Sequence, residues 1–192
     1  MATQSIHRHT VSHVELESEL GGRLVDTGSA IFEVAKYVVP IAILLTLAHS
    51  LLATITFVDG PSMQPTYYTE DMILVDRRDW LTFARGDVVV LRYPGDPEHR
   101  VYIKRVVAEP GDTVAVVGGQ VVVNGSIPSE PYLNPGTLTQ PDVAQKTLAD
   151  DEYYTLGDNR PVSNDSRFFG PVERRFIVGR VIATLLPSDR PS

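Results

Sequence analysis

The sequence predicts a mainly β protein: an N-terminal transmembrane helix followed by a coiled antiparallel β-sheet domain. Three observations carry that reading. Tyr37–Val58 is a run of 22 residues without Asp, Glu, Lys or Arg. Downstream, short Val- and Tyr-rich runs are separated by Pro-Gly, Gly-Asp and Asn-Gly turns, the punctuation of strands. No ten-residue helical periodicity alternates with those runs, which argues against a doubly wound α/β fold and for a barrel-like β domain.

The uncharged run is bounded by Lys36 and Asp59. As one helix it would extend about 33 Å, close to the thickness of a bilayer's hydrocarbon core. Pro40 falls in its first turn, where a missing N–H costs little. It starts after 36 mostly polar residues and has no clear Ala-x-Ala exit, so a retained anchor fits better than a cleaved leader. The expected division is a tail over 1–36, a transmembrane helix over 37–58 and a folded domain over 59–192. Flanking charges are balanced and give no orientation.

Within the domain, strands are expected over Met72–Asp76, Val88–Tyr93, Val101–Ala108, Thr113–Val117, Gln120–Val123, Tyr153–Leu156 and Phe176–Leu185. Gly118–Gly119 is a two-residue hairpin signal. Ser126–Asp151 holds four prolines and weak periodicity. It reads as a long loop or insertion, either a surface excursion or the lining of a site. Trp80, Leu81 and Phe83 suit an interfacial apolar patch or the core equally.

Composition narrows the chemistry. Seventeen basic against 24 acidic residues give a formal net charge of -7, which argues against a general nucleic-acid binder. Cysteine is absent, so disulfides, thiolate nucleophiles and thiolate metal sites are excluded. Outside the tail and the apolar run, His99 is the one histidine, in a turn that suits an exposed polar residue. The carboxylates show neither H-E-x-x-H nor EF-hand spacing, and no metal or cofactor is expected.

Lysine is scarce, with only Lys36, Lys104 and Lys146. Lys104 lies inside the strand run VYIKRVVA, on the face of Tyr102, Val106 and Ala108 by strict alternation. Apolar surroundings strip solvent from an ammonium and lower its pKa, and a neutral amine accepts a proton from a hydroxyl. The alternative is a lysine at a sheet edge with its head in water. Ser62 sits in the constrained turn DGPSMQPT just past the apolar run, either as a nucleophile or as an ordinary turn serine. GDNRPVSNDSRFFG, Gly157–Gly170, is dense enough in directional polar groups to build an internal network.

Taken together, these clusters resemble the bacterial type I signal peptidases, membrane-anchored serine/lysine proteases. Ser62, Met63, Pro65 and Thr66 match the family's nucleophile box. Tyr102, Lys104, Arg105, Val106 and Val107 match its general-base box, and Arg85–Val89 matches the strand between. Gly157, Asp158, Asn159, Arg160, Ser163, Asp165, Ser166 and Arg167 match its C-terminal box. The order agrees, and the likeness covers roughly residues 35–187.

The resemblance implies that Ser62 attacks the scissile carbonyl and that Lys104 is the general base. It implies that Ser163 orients the Lys104 amine, that Asp165 and Arg167 form a supporting pair, and that Asp158 and Asn159 hold the last box in place. Gly60 stands where some members carry a serine whose hydroxyl serves the oxyanion hole, which leaves more of that role to the Ser62 N–H. One such donor is worth about 2.7–4 kcal/mol in a protease built around it. Pro161–Val162 departs from the polar pair often seen before the last serine. Met63, Tyr102, Ile103 and Val106 are the expected substrate walls.

The implied activity is endoproteolysis of signal peptides after small residues, Ala-x-Ala in type, at the membrane surface. The implied partners are preprotein signal peptides and the phospholipid membrane, with the protein translocation machinery as a further candidate and no nucleic acid. The implied location is a single pass in the inner (plasma) membrane, tail cytoplasmic and catalytic domain extracytoplasmic. Other readings stay open. One is a peptidase dedicated to a special substrate. Another is a catalytically silent β domain that binds. A self-cleaving repressor is disfavoured, because residues 1–36 are too short and too acidic for a DNA-binding domain.

Overall fold

The computed structural model describes residues 32–47, 52–78, 82–93, 95–98 and 100–190. The chain divides into two compact units with the boundary after His49. The first contributes a helix, α1, over residues 32–47, and the second contains every strand. The expectations for most of the tail, for Trp80 and Leu81, and for His99 fall outside the described residues.

The strands in chain order are β1 (Ala53–Phe57), β2 (Met72–Asp76), β3 (Val88–Arg92), β4 (Val101–Ala108) and β5 (Thr113–Val117). They continue with β6 (Gln120–Val123), β7 (Val143–Thr147), β8 (Glu152–Leu156), β9 (Val172–Glu173) and β10 (Ile177–Leu186). A one-turn helix, α2 (Ser166–Phe169), lies between β8 and β9. Seven strands form a sheet in the order β1-β2-β10-β3-β4-β8-β9, and three form a smaller one in the order β6-β5-β7. All paired neighbours are antiparallel. The mainly β, antiparallel part of the expectation stands.

The transmembrane part does not. Among the described residues no helix is long and apolar enough to cross a membrane. That overturns the span expected over 37–58 and the single-pass placement resting on it. The uncharged run is not one element. Its first part is helical with the residues before it, and sixteen helical residues extend only about 24 Å. Its last part, Ala-Thr-Ile-Thr-Phe, is strand β1, paired along its length with β2 from Ala53 opposite Asp76 to Phe57 opposite Met72. Lack of charge is common to buried strands and apolar helices. The alternating Thr and β-branched residues at the end of the run follow the strand period instead.

Three apolar clusters pack the second unit. Val58, Met63, Ile73, Val75, Val88, Val90 and Ile103 join the loop after β1 to β2, β3 and β4. Phe83, Val89, Leu91, Val106, Tyr153, Val172 and Ile177 form the second. Phe83 is therefore core, edge-on to Tyr153 with ring centroids 5.6 Å apart. The third cluster lies where the small sheet meets β4 and β8, around Val114, Val121, Leu148 and Leu156. The expected loop Ser126–Asp151 contains β7, whose polar sequence VAQKT is mostly exposed along an edge of the small sheet.

Candidate active site

Ser62 lies in the tight loop between β1 and β2. Val58, at the exit of β1, accepts a backbone bond from Glu70 and donates one to Asp71, which closes the loop at its base. The next side chain, Met63, is fully buried in the cluster with Ile73 and Ile103. That anchor fixes the backbone of Ser62 while its side chain stays half-exposed. Met63 therefore lies in the core beneath the serine and not in a substrate wall, because a large apolar side chain gains more from burial than a groove offers it.

Lys104 reaches Ser62 from the middle of β4. Its Nζ donates to Ser62 Oγ at 2.9 Å and to the carbonyl of Ile103 at 2.8 Å, and lies 5.5 Å from the centre of the Tyr102 ring. The residue is 2% exposed. Burial is the main cause that pulls its pKa down to about 8. Asp165 and Asp158 draw it back up and Arg167 pushes it further down. A lysine in this setting has a sizeable neutral fraction near pH 8, which one in water lacks.

The loop after β8 closes over both residues. Asn159 N–H donates to the Ser62 carbonyl at 3.0 Å, and the Asn159 side-chain amide to the Pro61 carbonyl at 3.1 Å. Asp158 accepts two bonds from Arg105, at 2.8 and 2.6 Å, and one from the Thr66 hydroxyl. Asp165 caps α2, accepts from Gly157 N–H at 3.0 Å and pairs with Arg167 at 2.8 Å, with both side chains fully buried. Gly157 cannot carry a side chain. A Cβ there would lie 2.2 Å from Ser163 Oγ and 2.5 Å from the Ser62 carbonyl oxygen. Close backbone approach is what glycine permits here.

Ser163 departs from expectation. Its Oγ is buried with no hydrogen-bond partner, so the expected bond to the Lys104 amine is not made. Its N–H donates to the Asn159 carbonyl instead, and its carbonyl accepts from Arg167. Gly60 has φ of +84° with open space around it, so its demand for glycine comes from the backbone and not from crowding.

A cleft of about 350 Å³ opens at Ser62 and Lys104 between Phe57, Asp59 and the strand Val101–Ile103. A smaller recess of about 50 Å³ adjoins it, floored by Val58, Ile73, Val90 and Ile103. Tyr102 and Ile103 line both, and the Tyr102 hydroxyl donates to Asp96 at 2.9 Å. Val106 lies elsewhere, fully buried with Phe83 and Val89.

Several supporting groups had no assigned role in the sequence. Arg160, 1% exposed, donates to the Gly157 carbonyl and to Thr139 and ion-pairs with Glu130. Arg167 also bonds the Gln140 carbonyl, and the Arg105 guanidinium stacks 4.0 Å over the Tyr132 ring. The segment between β6 and β7 is thus tied to the loop beside the serine. The arginines were visible in their boxes. Glu130, Tyr132 and Thr139 carry no sequence signal of that contact. Among the described residues no group of His, Asp and Glu is arranged to hold a metal ion.

A buried amine on a β strand against a serine hydroxyl is the arrangement of a serine-type endopeptidase that uses lysine in place of histidine. The sequence profile of the family described as "Signal peptidase, peptidase S26" matches residues 31–186, and the chain belongs to that family. It is a serine-type endopeptidase of signal peptides. "Signal peptidase I" of Bacillus amyloliquefaciens is 37% identical over 150 residues, 72% of this chain and 78% of that protein. "Signal peptidase I" of Leptolyngbya laminosa is 32% identical over 152 residues, 74% and 73% of the two chains. "Signal peptidase I S" of Bacillus subtilis is 35% identical over 155 residues, 74% and 82%.

Proposed function

We propose that Ser62 is the nucleophile and Lys104 the general base in cleavage of signal peptides after Ala-x-Ala-type ends. The observation that carries this is the 2.9 Å contact between Nζ and Oγ, made by a lysine with almost no access to water. Neutral Lys104 takes the Oγ proton as Oγ bonds to the scissile carbonyl carbon. The oxyanion accepts from the Ser62 N–H, since Gly60 has no hydroxyl to add. The lysine ammonium returns its proton to the leaving amine, and the C–N bond breaks to give the acyl-serine. Lys104, neutral again, deprotonates a water that hydrolyses the ester.

The cleft favours an extended peptide laid along Val101–Ile103, where β4 has β3 on one side and meets β8 only from Arg105 onward. The adjoining recess of about 50 Å³ has room for a methyl group, which supports small residues before the cut. Asp158, Asn159, Asp165 and Arg167 position the serine and lysine without touching substrate. A phospholipid surface is the further partner. Ile55 and Phe57 stand exposed on β1 beside the cleft, where an acyl layer would cover them.

The test is cleavage of a preprotein with an Ala-x-Ala site by the detergent-solubilised full chain, with Ser62→Ala and Lys104→Ala in parallel and products mapped by mass spectrometry. A cut after the second alanine that vanishes in both variants supports the dyad. Cleavage retained by either variant refutes it.

A further inference from the structure

The described arginines are almost all neutralised. Arg78, Arg85, Arg100, Arg105, Arg160, Arg167, Arg175, Arg180 and Arg190 each meet a carboxylate within 4.0 Å. Arg174 lies over the Phe83 ring and donates to the Ile177 carbonyl. Two side chains, Arg77 and Arg92, have no ion pair or hydrogen bond of their own among the described residues. Both line the same cavity.

That cavity holds about 310 Å³ and is bounded by Arg77, Arg92, Arg175, Phe176, Ile177 and Val178. It shares no lining residue with the cleft at Ser62. The fold assembles it from three directions. Arg77 follows the end of β2, Arg92 ends β3, and Arg175 to Val178 lead into β10, which runs between those two strands. Arg175 is already bound to Glu173 at 2.8 Å, so Arg77 and Arg92 bring the uncompensated charge. Both guanidinium groups are exposed, so water screens their repulsion, and their donors stand open to an anion entering the concavity.

We infer that this cavity is a binding site for a phosphate group, held by Arg77 and Arg92 with Arg175 at its margin. Guanidinium forks match the oxygens of a phosphate, and two of them from different strands fix its position better than flexible ammonium groups would. A bare carboxylate uses one such fork, whereas a phosphate has oxygens for both. The cavity, at about 310 Å³, leaves room for a substituent on the phosphate. Its source is either the headgroup of an anionic phospholipid or a soluble phosphate ester. Arg77 N–H donates to the carbonyl of Leu52, the residue before β1.

The experiment uses the full chain in detergent and three proteins: wild type, Arg77→Gln/Arg92→Gln, and the charge-matched control Lys146→Gln/Arg190→Gln. Inorganic phosphate is titrated and its phosphorus resonance followed for line broadening. Separately, co-sedimentation is measured with phosphatidylcholine vesicles and with phosphatidylcholine–phosphatidylglycerol vesicles. The expected result is binding weakened about tenfold or more in Arg77→Gln/Arg92→Gln, from loss of charge-assisted bonds, and little changed in the control. If the vesicle assay shows that difference, the source is a lipid headgroup. If only the phosphate titration shows it, the source is a soluble ester. If neither assay separates the two double variants, the site does not exist.

Discussion

Arg105, the neighbour of Lys104 on β4, grips Asp158 with two guanidinium bonds of 2.8 and 2.6 Å across 53 positions of sequence. The pair is nearly dry, with side chains 10% and 1% exposed. It ties the strand that carries the amine to the loop whose Asn159 holds the Ser62 carbonyl. Removing one partner leaves a buried, unmatched charge, which costs about 3–5 kcal/mol. Arg105→Met and Asp158→Asn are each expected to lower the melting temperature and kcat/KM. Arg105→Met/Asp158→Leu should recover part of the stability, read by thermal denaturation.

Activity should follow the neutral fraction of Lys104. With its pKa near 8, kcat/KM is expected to rise about tenfold per pH unit below that value and to level off above it. An initial-rate profile on a fixed preprotein tests this. A flat profile between pH 6 and about 9 would exclude lysine as the base.

The same shift has a consequence for stability, opposite in sign to that of an ion-paired lysine. Because the folded value lies below the ordinary 10.5, the unfolded chain binds more protons between about 8 and 10.5. Stability therefore rises with pH across that window, and the cost of charging Lys104 is fully present below pH 8, at about 3 kcal/mol. Lys104→Met should be inactive yet more stable than wild type at pH 7, with the gap closing above pH 10. Urea denaturation at both pH values measures it.

Gly157→Ala forces a methyl group against Ser163 and the Ser62 carbonyl. The expected cost is about 1–3 kcal/mol of stability and a fall in kcat of about 100-fold or more, because a displacement of the serine near 1 Å is enough. Ser163→Gly in the same chain should restore stability only in part, since the Ser62 carbonyl still blocks the methyl.

Glu130 neutralises an arginine with no side-chain exposure at all. Glu130→Ala should destabilise by about 3–5 kcal/mol and open the segment between β6 and β7 to proteases. Limited proteolysis with the cut sites mapped tests this. A nick confined to other loops would show that Arg160 does not hold this segment.

Much of the strand plan was legible because alternation and turn residues are local. Met72–Asp76, Val101–Ala108 and the Gly118–Gly119 hairpin lie where their residues predict them. The boxes around Ser62, Lys104 and Asp165 were likewise readable, since each is contiguous. Charge, lysine scarcity and the absence of cysteine limited the chemistry before any geometry was known. The sequence by itself thus determined the β class, the family likeness and the candidate groups. It could not decide contacts between distant segments. Whether Ala53–Phe57 continues a helix or pairs with β2 depends on a partner strand, and an uncharged run is compatible with both. Only the tertiary structure put Met63 in the core, left Ser163 Oγ without a partner beside Gly157, and tied Glu130 to Arg160. The physical reason is that burial and hydrogen-bond satisfaction belong to the assembled sheets as a whole, whereas period and turn chemistry belong to a few neighbouring residues.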